Sequence, residues 1–303
     1  MPGAGLRSDP MKPARFEYRD PATLEEALAL LRQHGDEAKL LAGGQSLIPM
    51  LNMRLARPPV LIDLNRVTEL AYVREENGYL AIGAMTRHAD VERSELVARR
   101  QPLLAEAMHH VGHVQIRNRG TIGGSLVHAD PSAELPAVMA ALDAVFVAAS
   151  PDGVRAIPAA DFFLMYFTTC LRPDEILTEI RVPVLPPRTG WAFLELARRS
   201  GDFALAGVAC TVTLSAGGTI AQARLGLTGV GMTPVRALSA EALLVGQTPA
   251  AFAAAAQEVA ANIMPDDDIH ATAEYRQELA GVLVQRALTL AYERGADQCA
   301  ALP

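Results

Sequence analysis

Apolar residues recur at helical spacing through Pro21-Ala22-Thr23-Leu24-Glu25-Glu26-Ala27-Leu28-Ala29-Leu30-Leu31, after which the pattern shortens into brief apolar runs. The first stretch predicts an amphipathic helix with Thr23 and Glu26 as a capping box and an end near Gly35. Ala38-Lys39-Leu40-Leu41 and Val60-Leu61-Ile62-Asp63-Leu64 read as short buried strands, and residues 79–84 as a third. Ser46 stands where it caps a helix over residues 47–54, with Pro49 in a first turn whose N–H groups have no intrahelical acceptor. Residues 16–64 are therefore expected to form a small β-α-β-α-β unit.

Further along, residues 89–98 and 103–111 predict helices, and 131–142 predicts an apolar helix with Asp130 as N-cap and Pro131 at its first position. Residues 144–149 return to strand. A strand over 176–182 runs into Pro183, Pro186, Pro187 and Thr189-Gly190, which marks a domain boundary. Beyond it, residues 207–215 and 220–229 are β-rich and joined by the hairpin-type turn Ala216-Gly217-Gly218-Thr219. Helices over 239–245, 250–261 and 275–294 complete the chain. The expected division is a disordered extension over 1–10, a two-lobed domain over 11–185 and a C-terminal domain over 190–298. The fold class is α+β: a small β-α-β lobe, a larger mixed lobe, then antiparallel strands with helices.

Composition narrows the function. A chain of 303 residues that is 50% hydrophobic buries a large interior in about two domains. A formal charge of −7 without a Lys/Arg run excludes a nucleic-acid surface. The apolar stretch 136–149 is broken by Asp143 and falls short of the roughly 20 residues a membrane span needs. Residues 1–10 lack the apolar core of a secretory signal and Met11 would itself serve as a start, so a cytoplasmic location is expected. Cys170, Cys210 and Cys299 are far apart and odd in number, which suits neither a disulfide framework nor a thiolate cluster. Any redox metal is expected on another chain.

The candidate chemistry lies in two glycine turns, Ala42-Gly43-Gly44-Gln45-Ser46 and Thr121-Ile122-Gly123-Gly124-Ser125. Each pairs glycines with a small hydroxyl residue and feeds a predicted helix. Glycine leaves room for a ligand and permits positive φ, so successive N–H groups can turn toward anionic oxygens. Neither turn is a P-loop or a G-x-G-x-x-G fingerprint. Taken singly, each reads equally well as an ordinary tight connection; together they point to one shared polyphosphate.

These turns, with Ala129-Asp130-Pro131 and Glu134, Asp174-Glu175-Ile176-Leu177, and Ala197-Arg198-Arg199-Ser200-Gly201-Asp202-Phe203-Ala204, resemble the FAD-binding medium subunit of the molybdenum hydroxylases, the xanthine dehydrogenase and carbon monoxide dehydrogenase family. The resemblance covers nearly the whole chain. It implies an oxidoreductase subunit with FAD on this chain, between the two lobes of the first domain and near the C-terminal domain. It also implies a molybdenum cofactor and iron–sulfur clusters of the 2Fe–2S type on separate large and small subunits, and an external electron acceptor. By the family pattern, Ala42, Gly43, Gly44, Gln45 and Ser46, with Thr121, Ile122, Gly123, Gly124 and Ser125, give main-chain and hydroxyl hydrogen bonds to the diphosphate. Glu134 binds a cofactor hydroxyl, the backbone of Leu177 meets the flavin ring, and Phe203 lies beside the isoalloxazine. Ser125 departs from the commoner asparagine, and Glu195 falls near where some relatives carry a lysine.

Each role has a plainer rival: a solvated helix-start carboxylate for Glu134, a core phenylalanine for Phe203, a solvated pair for Arg198 and Arg199. His109 and His113 fall four apart on a predicted helix, a spacing that can serve a metal, but no third ligand accompanies them and no metal is expected. Asp266-Asp267-Asp268 lacks the alternation of a calcium loop and reads as a solvated helix start. No nucleophile or acid–base dyad stands out, in keeping with a protein whose cofactor does the chemistry. The competing functions are a free-standing FAD-dependent oxidoreductase and a non-catalytic interaction subunit with a degenerate flavin site.

Overall fold

A computed structural model of the chain describes residues 12–301. The extension expected over 1–10 and the first residue of the domain expected over 11–185 lie outside the described residues.

The small lobe is the expected β-α-β-α-β unit: β1 (Glu17–Arg19), α1 (Leu24–His34), β2 (Ala38–Leu41), α2 (Leu47–Asn52) and β3 (Val60–Asp63). All three strands run parallel in the order β1-β3-β2, which requires a crossover between each sequential pair. Thr23 caps α1 by accepting from the Glu26 N–H at 3.2 Å, while the Glu26 carboxylate reaches past the cap to the Ala22 N–H at 2.8 Å. Ala27 and Leu31 of α1 are buried with Val60 and Ile62 of the sheet.

The larger lobe opens with a hairpin of β4 (Val73–Glu76) and β5 (Tyr79–Gly83). Its turn, Asn77-Gly78, has φ +52° and +81°, the left-handed pair that Asn-Gly favours. Only β5 was expected, although the dipeptide announces the hairpin. The helix expected over 89–98 divides into α3 (His88–Arg93) and α4 (Glu95–Arg100), because Ser94 takes an extended conformation and caps α4 through the Val97 N–H. There follow α5 (Pro102–Met108), α6 (Val114–Arg117), α7 (Ile122–His128) and α8 (Glu134–Ala141), then β6 (Val145–Ser150) and β7 (Gly153–Pro158). A short α9 (Ala159–Phe162) leads into a ribbon of β8 (Phe163–Met165) and β9 (Thr168–Thr169), and β10 (Ile176–Pro183) closes a five-stranded antiparallel sheet in the order β4-β5-β10-β6-β7.

After Pro183 the chain enters a second antiparallel sheet of β11 (Thr189–Ala197), β12 (Ala204–Leu214), β13 (Ile220–Thr228) and β14 (Val235–Arg236). The hydrophobic patterning does not predict β11. Three helices, α10 (Leu238–Leu244), α11 (Phe252–Asn262) and α12 (Ala273–Ala301), follow. Almost every residue of β12 is buried, since α12 packs on one side of this sheet and α8 on the other. The α+β architecture is thus as expected: a small parallel lobe, a mixed lobe, and antiparallel strands with helices. Among the described residues no helix is long and apolar enough to cross a membrane.

Candidate cofactor-binding site

The first glycine turn leaves β2 where Leu41 pairs with Asp63, at the carboxyl ends of the parallel strands, where open parallel sheets present ligand crevices. Gly44 has φ +74°, and a side chain there would strain the backbone and meet Ile48 Cγ1 at 2.9 Å. Ser46 does not cap α2 as expected: it takes helical angles (φ −100°, ψ −46°), in which its hydroxyl makes no capping bond. Among the described residues, the main-chain N–H groups of Gly43, Gly44, Gln45 and Ser46 find no protein acceptor. Such a run of free amides is a concavity suited to an anion.

The second turn is built differently. Thr121 caps α7, its Oγ1 accepting from the Gly124 N–H at 3.1 Å. The N–H groups of Ile122, Gly123 and Ser125 donate to the carbonyls of Thr86 (3.0 Å), Ala84 (2.9 Å) and Thr121 (3.1 Å). Its main-chain donors over 122–125, expected to serve the ligand, are therefore engaged within the protein. The Ser125 hydroxyl has no protein partner and is half-buried. Gly123 answers a packing need, since a Cβ there would stand 2.6 Å from that of Ala84.

The turns lie against each other. A Cβ on Gly43 would come within 2.7 Å of Gly120 Cα, and one on Gly124 within 3.3 Å of Ala42 Cβ. Two side chains absent from the sequence reading tie them together. Asn65 donates through Nδ2 to the Ala42 carbonyl at 2.9 Å and to the Asp63 carboxylate. Arg87 donates to Asn65 Oδ1 at 2.5 Å and to the Arg119 carbonyl. The only hints in the sequence were an amide just past a buried strand and a lone cation in the apolar run 79–91.

Leu177 is buried on β10 opposite Ala148, and the residue after it, Thr178, joins this assembly. The register with β6 slips between Leu177 and Glu179, leaving Thr178 as a bulge. The Thr178 carbonyl accepts from the Ala84 N–H at 2.9 Å, and the Ala84 carbonyl in turn accepts from Gly123. Glu175 secures the entry to β10, held by Arg155 through two bonds of 2.6 and 2.8 Å that keep its carboxyl below the usual range.

Glu134 is only 5% exposed, so the solvated reading does not hold. Burial pushes its carboxyl up to about 7, Glu195 acting in the same direction and His110 against it. The helix begins at Glu134 rather than at Pro131, because Asp130 turns back to accept from the Ser132 N–H (2.9 Å) and the Thr228 hydroxyl holds the carbonyls of Pro131 and Ala133 at 2.9 and 2.8 Å. Nearby, His110 Nδ1 lies 3.1 Å from Glu195 Oε1, which raises the imidazole above its ordinary value. This pair joins the mixed lobe to β11.

Phe203 is 59% exposed, which removes the core reading. Its turn packs on the mixed lobe at Gly201 (φ +86°), where a Cβ would stand 3.1 Å from His113 Nε2 and still closer to the rest of that ring. Arg198 is not simply solvated: its guanidinium lies 2.9 Å from His270 Nδ1. The histidines do not share a helix, since α5 stops at Met108 and Gly112 turns the chain at φ +52°. His109 instead meets Glu92 at 3.1 Å. The aspartate cluster is more than a solvated start: Asp267 accepts from Ala273 N–H at 2.6 Å and Asp268 pairs with Arg276 at 2.7 Å, fixing the entry to α12.

Comparison with known proteins agrees with this architecture. Residues 14–185 match the family described as the FAD binding domain in molybdopterin dehydrogenase, and residues 191–291 the CO dehydrogenase flavoprotein C-terminal domain. The 6-hydroxypseudooxynicotine dehydrogenase complex subunit alpha of Paenarthrobacter nicotinovorans is 44% identical over 286 residues, 94% of this chain and 97% of the relative. The carbon monoxide dehydrogenase medium chain of Hydrogenophaga pseudoflava is likewise 44% identical, over 94% of this chain and 99% of its own length. A solved carbon monoxide dehydrogenase from that organism, which lacks the Mo-pyranopterin moiety of its molybdenum cofactor, superposes with a TM-score of 0.91 at 46% identity, covering 93% of this chain and 99% of the other.

Proposed function

The chain belongs to the FAD-binding medium-subunit family of the molybdenum hydroxylases, an oxidoreductase family of dehydrogenase complexes, and from that premise we propose that it is the electron-transfer subunit of such a complex. When bound, FAD supplies a carrier that takes up two electrons and passes them to an acceptor. The partners are a large subunit with the molybdenum cofactor and a small subunit with iron–sulfur clusters, from which electrons reach this chain. Residues 11–185 are assigned to the cofactor domain and 190–298 to a C-terminal domain. The three free cysteines accord with a cytoplasmic setting.

The observation that carries this reading is the run of unpartnered amides over 43–46, packed against a second glycine turn with no room for side chains between them. This cradle fits a diphosphate. Gly43, Gly44, Gln45 and Ser46 direct N–H groups at it, Ala42 and Gly124 line the junction, and the hydroxyls of Ser46 and Ser125 supplement the amides. Thr121, Ile122 and Gly123 shape the floor. Glu134 holds a hydroxyl of the cofactor, accepting as a carboxylate or donating as an acid near neutrality. Leu177 presents its backbone to the flavin ring, and exposed Phe203 restricts approach to it. The test is to purify the tagged chain from its own cells and measure flavin, molybdenum and iron together. One FAD per chain with co-purifying molybdenum and iron is expected. A chain that stays colourless in excess FAD would overturn the reading.

A further inference from the structure

We propose that Arg87 and Asn65 are positioning residues for the cofactor diphosphate, fixing the gap between the two glycine turns and the direction in which the first presents its amides. The proposal rests on the reading that FAD occupies these turns.

A peptide group is planar and trans, so its carbonyl and the following N–H point in opposite directions. Because Asn65 Nδ2 holds the Ala42 carbonyl at 2.9 Å, the Gly43 N–H of the same peptide is turned away from Asn65, toward the side left without a protein acceptor. Asn65 is itself immobilised. Its main-chain N–H and its Nδ2 both donate to Asp63 Oδ1, and the other Asp63 oxygen accepts from the Tyr18 hydroxyl at 2.6 Å. Its remaining polar side-chain atom, Oδ1, accepts from Arg87. The planar guanidinium then spans from Asn65 to the Arg119 carbonyl, the atom a Gly43 side chain would strike first. A continuous path of side chains thus runs from the parallel sheet of the small lobe through both turns. Lysine in place of Arg87 keeps the charge but lacks the rigid fork that holds two acceptors at once.

The test is calorimetric titration of FAD into the full chain stripped of flavin, for wild type, Arg87→Lys, Asn65→Ser and the double variant, with thermal unfolding of each cofactor-free protein alongside. Each single variant is expected to bind FAD at least about tenfold more weakly while its thermal midpoint stays near that of wild type. The double variant should be no weaker than the weaker single one, because either change breaks the same path. Wild-type affinity in Arg87→Lys, or losses that add in the double variant, would overturn the proposal and leave the flavoprotein reading intact. Failure of the wild type to bind FAD would instead overturn that reading. Should Arg87→Lys not fold, Asn65→Ser decides by the same tenfold criterion.

Discussion

Residues 42–46 and 121–125 are nearly alike on paper, a glycine pair ahead of a serine, yet they do opposite things with their backbones. The first leaves its amides without protein acceptors and bends through a positive φ at Gly44. The second engages its amides with Thr86, Ala84 and Thr121 and uses glycine to let backbone and side chains approach. A glycine pair in a sequence therefore reports only that a Cβ is unwelcome. Whether ligand or protein excludes it depends on where the neighbouring N–H groups go.

The contrast breaks most visibly at Gly123. Valine there drives a side chain into Ala84, and overpacking of this kind costs about 3 kcal/mol. Urea denaturation of the cofactor-free protein should show the loss; unchanged stability would mean that Ala84 does not fill the space beside Gly123. Next in size is Glu134, at the start of α8, the helix after the one that the second turn opens. Its carboxyl titrates near 7 in the folded chain against an ordinary 4.5, so the folded state holds the proton more tightly. Its contribution to stability is fully present below about pH 4.5 and is lost as pH rises through about 7, on the order of 3 kcal/mol. Glu134→Gln should flatten the pH profile of unfolding in that window, and a profile identical to wild type would mean the carboxyl is not buried as described. The smallest effects sharpen the comparison best. Thr121→Ala removes a helix cap and should cost about 1 kcal/mol of stability. Ser46→Ala removes no cap and should leave stability alone while weakening FAD binding about fivefold, near 1 kcal/mol. Equal loss of stability in both, measured by thermal unfolding, would erase the distinction between the turns.

Much of this was legible in the residues themselves. The small lobe followed from one capped amphipathic helix and apolar runs ending in polar turns, because those signals are local. The juxtaposition of the turns was inferred from their repetition, a coarse cue the fold satisfies. What escaped was whatever depends on distant partners. β11 alternates poorly because α12, α5 and β12 cover it in different places. Asp130 resembled an N-cap but serves its own tight turn, since Thr228, nearly a hundred residues on, holds the following carbonyls. Asn65 and Arg87 carry no motif, and their role exists only once 42 and 119 have been brought together.

The bulge at Thr178 makes chain length itself a component of the proposed binding surface. Deleting that one residue would let β10 and β6 pair without interruption, Leu177 still beside Ala148 and Glu179 beside Val147, but it would take away the carbonyl that accepts from the Ala84 N–H. Evolution can exchange many side chains around this cleft by small steps, whereas the spacing between Glu175 and Glu179 admits no such gradual change.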